Sequence, residues 1–191
     1  MYKETITKTL RFSSTSLALL LILGCQSESA FSETHACDFT TPQTLATHYG
    51  VQAETVTETP NPRKSDHFTA CEWQFVSPEG YPVALHVRTQ HRTEKIKNPD
   101  FFKNNLGYLI DNGKKIGGRT VSFSATTLSD LPAGALSTSY GNFGSQSIAY
   151  TWNQGEERSI TVTLTKSMTE SGSKPNVDQE QLANAIKPFS F

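Results

Sequence analysis

Four segments of this sequence alternate apolar and polar residues with a period of two, and that period restricts the fold more than any other feature. In Thr69–Ser77, Cys71, Trp73 and Phe75 share one side; in the segment 81–90, Val83, Leu85 and Val87 do the same. Ile148, Tyr150 and Trp152 repeat the pattern, and so do Ile160, Val162 and Leu164. Successive side chains of a strand point to opposite faces, so each segment reads as a strand with one apolar and one polar face. SPEG joins the first pair into a hairpin, and NQGEE joins the last pair. RTVSFS and GALSTSY read as further strands with YGNFGSQ as a turn, while the Thr- and Val-rich stretch 51–59 reads as another before the polar loop NPRKSDH. On this pattern His86 and Arg88 point away from the apolar side, and His86 is a solvated strand residue rather than a ligand.

Helices must cover the apolar face, and three are signalled. Thr41-Pro42 supplies a cap followed by proline at the first helical position; Leu45 and Tyr49 share a face, and Gly50 stops the helix. Asn98-Pro99-Asp100 starts the second, in which Phe102, Leu106 and Leu109 form a stripe that ends at Asn112-Gly113. The third starts at Asn176 with Gln179 as capping-box partner, carries Leu182 and Ile186, and ends at Pro188. The order is helix, three strands, helix, four strands, helix. That argues an α+β fold, a mostly antiparallel sheet packed against about three helices, in a single domain 36–191 without internal repeats.

The start of the chain carries an address. Lys3, Lys8 and Arg11 precede an apolar core, Leu17–Leu23, the order of a secretory signal. Seven apolar residues fall far short of the roughly 20 that a spanning helix needs. The core closes on Ile22-Leu23-Gly24-Cys25, which resembles the lipobox of bacterial lipoproteins. That resemblance implies a signal peptide 1–24, cleavage before Cys25, and acylation of Cys25 by chains such as palmitate. Two or three chains make release from the membrane negligible, since each buried methylene contributes about 0.8 kcal/mol. The alternative is an ordinary cleaved signal with Cys25 as a bystander. Residues 25–35 then form the lipidated cysteine and a flexible tether reaching on the order of 17 Å. Gln26 stands where aspartate would imply inner-membrane retention, so the resemblance implies the periplasmic face of the outer membrane, or the outer face of the plasma membrane in a one-membrane organism.

Cys37 and Cys71 remain, 34 positions apart, and an exported chain meets oxidising conditions, so a disulfide is the default. Closing such a loop contributes about 4 kcal/mol. A Cys–His metal site using His35 is the alternative, but neither C-x-x-C nor H-x-x-x-H occurs; the expectation is no metal and no cofactor. Cys37, a helix, a loop and then Cys71-Glu72-Trp73, with LSDLPAGA before the last strands, resembles small bacterial lipoproteins of unknown function whose sandwich is similar to the PsbP photosystem subunit. The resemblance implies that sandwich and supplies no catalytic residue. Leu131-Pro132-Ala133-Gly134 stands where that group has a glycine–aspartate pair.

No catalytic motif appears. Gly141-Asn142-Phe143-Gly144-Ser145 misplaces serine for a nucleophile elbow, Gly117-Gly118 is isolated, Glu156-Glu157 belongs to a turn, and His48, His67 and His91 lack partner spacing. The expectation is a non-enzymatic binding or interaction domain; the alternative is an envelope enzyme, such as a hydrolase, with a site built from scattered residues. After residue 24 the chain carries fourteen bases and seventeen acids, which argues against a nucleic-acid binder. The charge is uneven: the segment from His86 to Arg119 has eight bases and three acids. One reading makes Arg88, Arg92, Lys95 and Lys97 contacts to an anionic envelope component or an acidic partner protein. The other makes the segment a solvated loop and helix end, with Lys114 and Lys115 simply favouring the negative end of the second helix.

Overall fold

A computed structural model of the chain describes residues 35–61, 67–128, 130–141 and 144–191. The lipobox with Cys25, tether residues 26–34, and residues 62–66 of the polar loop lie outside the described residues. In chain order the elements are α1 (Pro42–Tyr49), β1 (Thr57–Pro60), β2 (Phe68–Val76), β3 (Pro82–His91), α2 (Phe101–Asn112), β4 (Lys114–Ile116), β5 (Arg119–Val121), β6 (Phe123–Thr126), β7 (Gly134–Tyr140), β8 (Gln146–Gln154), β9 (Arg158–Lys166) and α3 (Gln179–Ile186). Seven strands form one antiparallel sheet in the order β1-β2-β3-β9-β8-β7-β6, and β4 pairs only with β5. The expected α+β architecture of antiparallel sheet and three helices is what the chain adopts. No helix among the described residues is long and apolar enough to cross a membrane.

Register turns the period-two pattern into a continuous apolar face. Trp73 lies opposite Leu85, Leu85 opposite Leu164, and Leu164 opposite Ile148, so one row of buried side chains crosses four strands. That face is covered by α1, α3 and the C-terminal aromatics: Leu45, Leu182 and Ile186 join the same core, and Phe189 and Phe191 meet Trp73 and Trp152 at ring distances of 5.4 and 5.0 Å. Cys37 and Cys71 are bonded, Sγ–Sγ 2.06 Å, and tie a single 3-10 turn, Ala36–Phe39, to β2.

The start and stop signals of α1 act as the sequence indicates. Thr41 Oγ1 accepts from the Thr44 N–H at 3.1 Å, and Gly50 at φ 68° reverses the chain so that the Val51 N–H reaches the Ala46 carbonyl at 3.0 Å. Four expectations are corrected. Of the stretch 51–59 only the last three residues enter β1, because Ala53–Thr55 closes a 3-10 turn in which Thr55 Oγ1 donates to the Gln52 carbonyl. RTVSFS divides between β5 and β6, which belong to different sheets. Helix α2 starts at Phe101, because Asn98 Oδ1 is occupied by the Asp100 N–H in the preceding turn. Helix α3 is capped by Asp178, not Asn176: Asp178 Oδ1 accepts from the Gln181 N–H at 2.9 Å.

A candidate ligand cleft

The polar face of the sheet is not left to solvent. Pairing sets His86 beside Thr163, Thr163 beside Ala149, Ala149 beside Ser137, and Ser137 beside Phe123. The next row runs Arg88, Thr161, Thr151, Ala135. Small residues, mostly hydroxylated, therefore make a low floor across β9, β8 and β7. Some hydroxyls are already coupled across strands, Thr151 with Thr161 at 2.9 Å and Ser147 with Thr165 at 2.8 Å.

Helix α2 and the β4–β5 hairpin stand over this floor and enclose a cleft of about 760 Å³, within the ordinary range of small-molecule sites. Asn105, Tyr108, Leu109 and Asn112 line it from the helix, and Lys114, Lys115, Ile116, Thr120 and Val121 from the hairpin. Gly113 makes this hairpin possible. It adopts φ 70°, and a Cβ there would fall 2.5 Å from the Val121 carbonyl oxygen, so only glycine lets the chain leave the helix and return against β5.

The cleft is electropositive. Arg88 enters from β3, Lys114 and Lys115 from β4, and no carboxylate stands among the described lining residues. Arg88 lies over the Phe68 ring, its guanidinium carbon 4.8 Å from the centroid, and its buried Nε has no hydrogen-bond partner. Glu72 lies one strand away, opposite His86, and bonds the Gln74 amide. Burial pushes the His86 pKa down and Arg88 pushes it the same way, against a partial upward pull from Glu72. His86 is therefore a half-buried cleft residue, and the expectation of a solvated strand residue is corrected.

The candidate contacts separate in space. Arg88 lines the cleft; Arg92 is drawn instead to Glu157, with an ion pair at 3.3 Å and a backbone bond at 2.7 Å. Lys95 and Lys97 lie in the connection between β3 and α2 and do not line the cleft. Lys114 and Lys115 are not merely helix-end charges, since the turn of the chain after Gly113 brings them to the cleft wall. The signal was the short run KKIGGRT, a glycine turn between two basic ends.

At the other end of the sheet, Cys37, Cys71 and Glu58 place candidate ligand atoms within 4.8 Å of one another. Both sulfurs are committed to the disulfide, and Glu58 accepts from Trp73 Nε1 at 2.9 Å. His35 caps the 3-10 turn, its Nδ1 accepting from the Cys37 N–H at 3.2 Å. The Gly141 N–H donates to the Ser145 carbonyl at 2.9 Å, and residues 142 and 143 of the expected turn lie outside the described residues. Compared with protein-family models, with curated proteins and with solved structures, the chain has no match.

Proposed function

We propose that this chain is a lipid-anchored envelope lipoprotein whose domain binds an anionic ligand without transforming it. One observation carries the reading: Arg88 on β3 and Lys114 and Lys115 on β4 border a cleft with a hydroxyl floor, and its described lining holds no carboxylate. Such a surface favours negative charge through fixed cations, and hydroxyl groups can donate to it at little cost in reorganisation. His86 is the one imidazole among the described lining residues, and burial favours its neutral form. With no catalytic motif in the sequence, binding is preferred here to the scattered-residue enzyme. The lipobox at Cys25 supports attachment, and Gln26 after it supports the periplasmic face of the outer membrane. A PsbP-like sandwich belongs to the same proposal, supported by helices on both sides of an antiparallel sheet.

The test is equilibrium binding at low salt of three anionic probes, tetragalacturonate, inositol hexakisphosphate and hexaglutamate. At least one should bind the mature protein and weaken tenfold or more in Lys114→Glu/Lys115→Glu, while Lys95→Glu/Lys97→Glu retains affinity. Failure of all three to bind, or equal loss in both variants, overturns the cleft as the site.

A further inference from the structure

The two sides of the cleft differ in chemistry, and that difference selects among anions. The floor offers hydroxyls on strands whose backbone groups are already paired in the ladder, such as Thr161 and Thr163 on β9 and Ser147 on β8. The opposite wall is mixed: Leu109, Val121, Ile116 and Tyr108 alternate there with Asn105, Asn112, Thr120 and the two lysines, and Tyr108 and Ile116 are 61% and 53% exposed. Among the described residues, Trp73, Tyr150, Trp152 and Phe189 pack in the core. Exposure alone marks nothing, since Tyr140 is 70% exposed and lies outside the lining; what distinguishes Tyr108 is its place beside Ile116 in the lining of a cleft, where a bound ligand would cover both.

Three kinds of anion can be compared with these walls. An acyl chain needs apolar contact on every side, and the hydroxyl floor would be desolvated beneath it without a partner. An extended acidic peptide needs backbone partners, and the floor strands have none free because β8 and β9 are interior to the sheet. A sugar ring carries C–H groups on its faces and hydroxyls at its edges. Its face can lie on the Tyr108 ring, where C–H groups meet the negative face of the π system, while its edge hydroxyls reach the Ser and Thr hydroxyls, the Asn105 amide and the Oδ1 of Asn112, whose Nδ2 donates to the Tyr108 carbonyl at 3.2 Å. An acidic substituent then meets Arg88, Lys114 and Lys115.

We infer that the cleft recognises a short segment of acidic oligosaccharide, one whose rings carry carboxylate groups. This inference rests on the anion-binding reading of the same cleft. It is tested by titrating the mature protein with tetragalacturonate, with maltotetraose as the neutral sugar, and with hexaglutamate as the acidic chain that is not a sugar. Tetragalacturonate should bind at least tenfold more tightly than either. Tyr108→Ala should weaken tetragalacturonate at least fivefold and leave hexaglutamate unchanged, whereas Tyr108→Phe should bind as the wild type does. Because Tyr108 is exposed, both variants should keep the far-ultraviolet spectrum and unfolding midpoint of the parent. Hexaglutamate binding as tightly as tetragalacturonate, or Tyr108→Ala without effect, overturns the saccharide inference and leaves the anion cleft standing. Absence of binding by any acidic probe overturns both.

Discussion

Reducing the Cys37–Cys71 bond should weaken the fold without dissolving it, and the size of the effect can be worked from the chain. The bond closes a loop of 34 residues, and loop-closure entropy for that length corresponds to about 4 kcal/mol at 25 °C. The loss arises mainly in the unfolded ensemble, because other contacts hold the same turn in place. The Ala36 N–H reaches Thr69 Oγ1 at 3.0 Å, the Ser190 N–H reaches the Phe39 carbonyl at 2.8 Å, and Phe39 is buried. At roughly 2–4 °C per kcal/mol for a domain of this size, the melting point should fall by about 8–16 °C. Urea unfolding of the oxidised and dithiothreitol-reduced protein is the assay, read in parallel by tryptophan fluorescence and circular dichroism. Trp73 and Trp152 are 0% and 1% exposed, so their emission reports the core. The reduced form should keep the native spectra, unfold at lower urea, and show a steeper dependence on urea because its unfolded chain exposes more surface. Equal midpoints, or a lower midpoint with loss of the native spectrum before unfolding, would refute the entropic argument.

Cys25→Ser should abolish incorporation of labelled palmitate and leave an uncleaved precursor; label that persists removes the lipoprotein reading. For His86 the folded pKa lies below the ordinary 6.5, so the unfolded chain takes up the proton first as pH falls. Stability from this group is therefore full above pH 6.5, declines as pH drops through that value toward the folded pKa, and then levels off. His86→Gln should flatten the corresponding part of a stability profile measured between pH 7.5 and 5, and an unchanged slope would show that the group does not contribute. Amide exchange should be faster in α2 than in α3, since α2 buries only Phe102 over twelve residues whereas α3 buries Leu182, Ala185 and Ile186 over eight. The reverse order would mean that the cleft side is the more firmly held.

Much of the fold can be read from the chain because alternation and capping are local. Cys71, Trp73 and Phe75 declare their face through spacing alone, and Thr41-Pro42 with Gly50 brackets α1 within ten residues. Errors arise where a polar side chain has two uses. Asn98 resembles a helix cap but spends its oxygen on the Asp100 N–H, and Thr55 suits a strand but bonds the Gln52 carbonyl and favours a turn. Strands β4 and β5, three residues each, are too short to show a period, so the hairpin that walls the cleft carries no strand signal beyond its glycine turn.

The cleft was hidden for a different reason. Alternation tells which face a residue occupies and is silent about what covers that face. His86, Thr161 and Thr163 read as solvent-facing, which is correct for their direction and wrong for their surroundings, because α2 returns over them. Charge proximity along the chain misleads in the same way: Arg92, Lys95 and Lys97 follow Arg88 closely, yet its companions are Lys114 and Lys115, more than twenty residues on. The two faces of the sheet thus divide the work. One buries tryptophans, aliphatics and a disulfide beneath α1 and α3 and supplies most of the stability. The other holds small hydroxylated side chains that contribute little by burial, and the cover they receive is a helix with a single buried residue and a hairpin whose strand residues are exposed except for the half-buried Val121. A face that adds so little to stability is free to be shaped for binding, and the cations in its lining are the ground on which an anionic ligand is proposed.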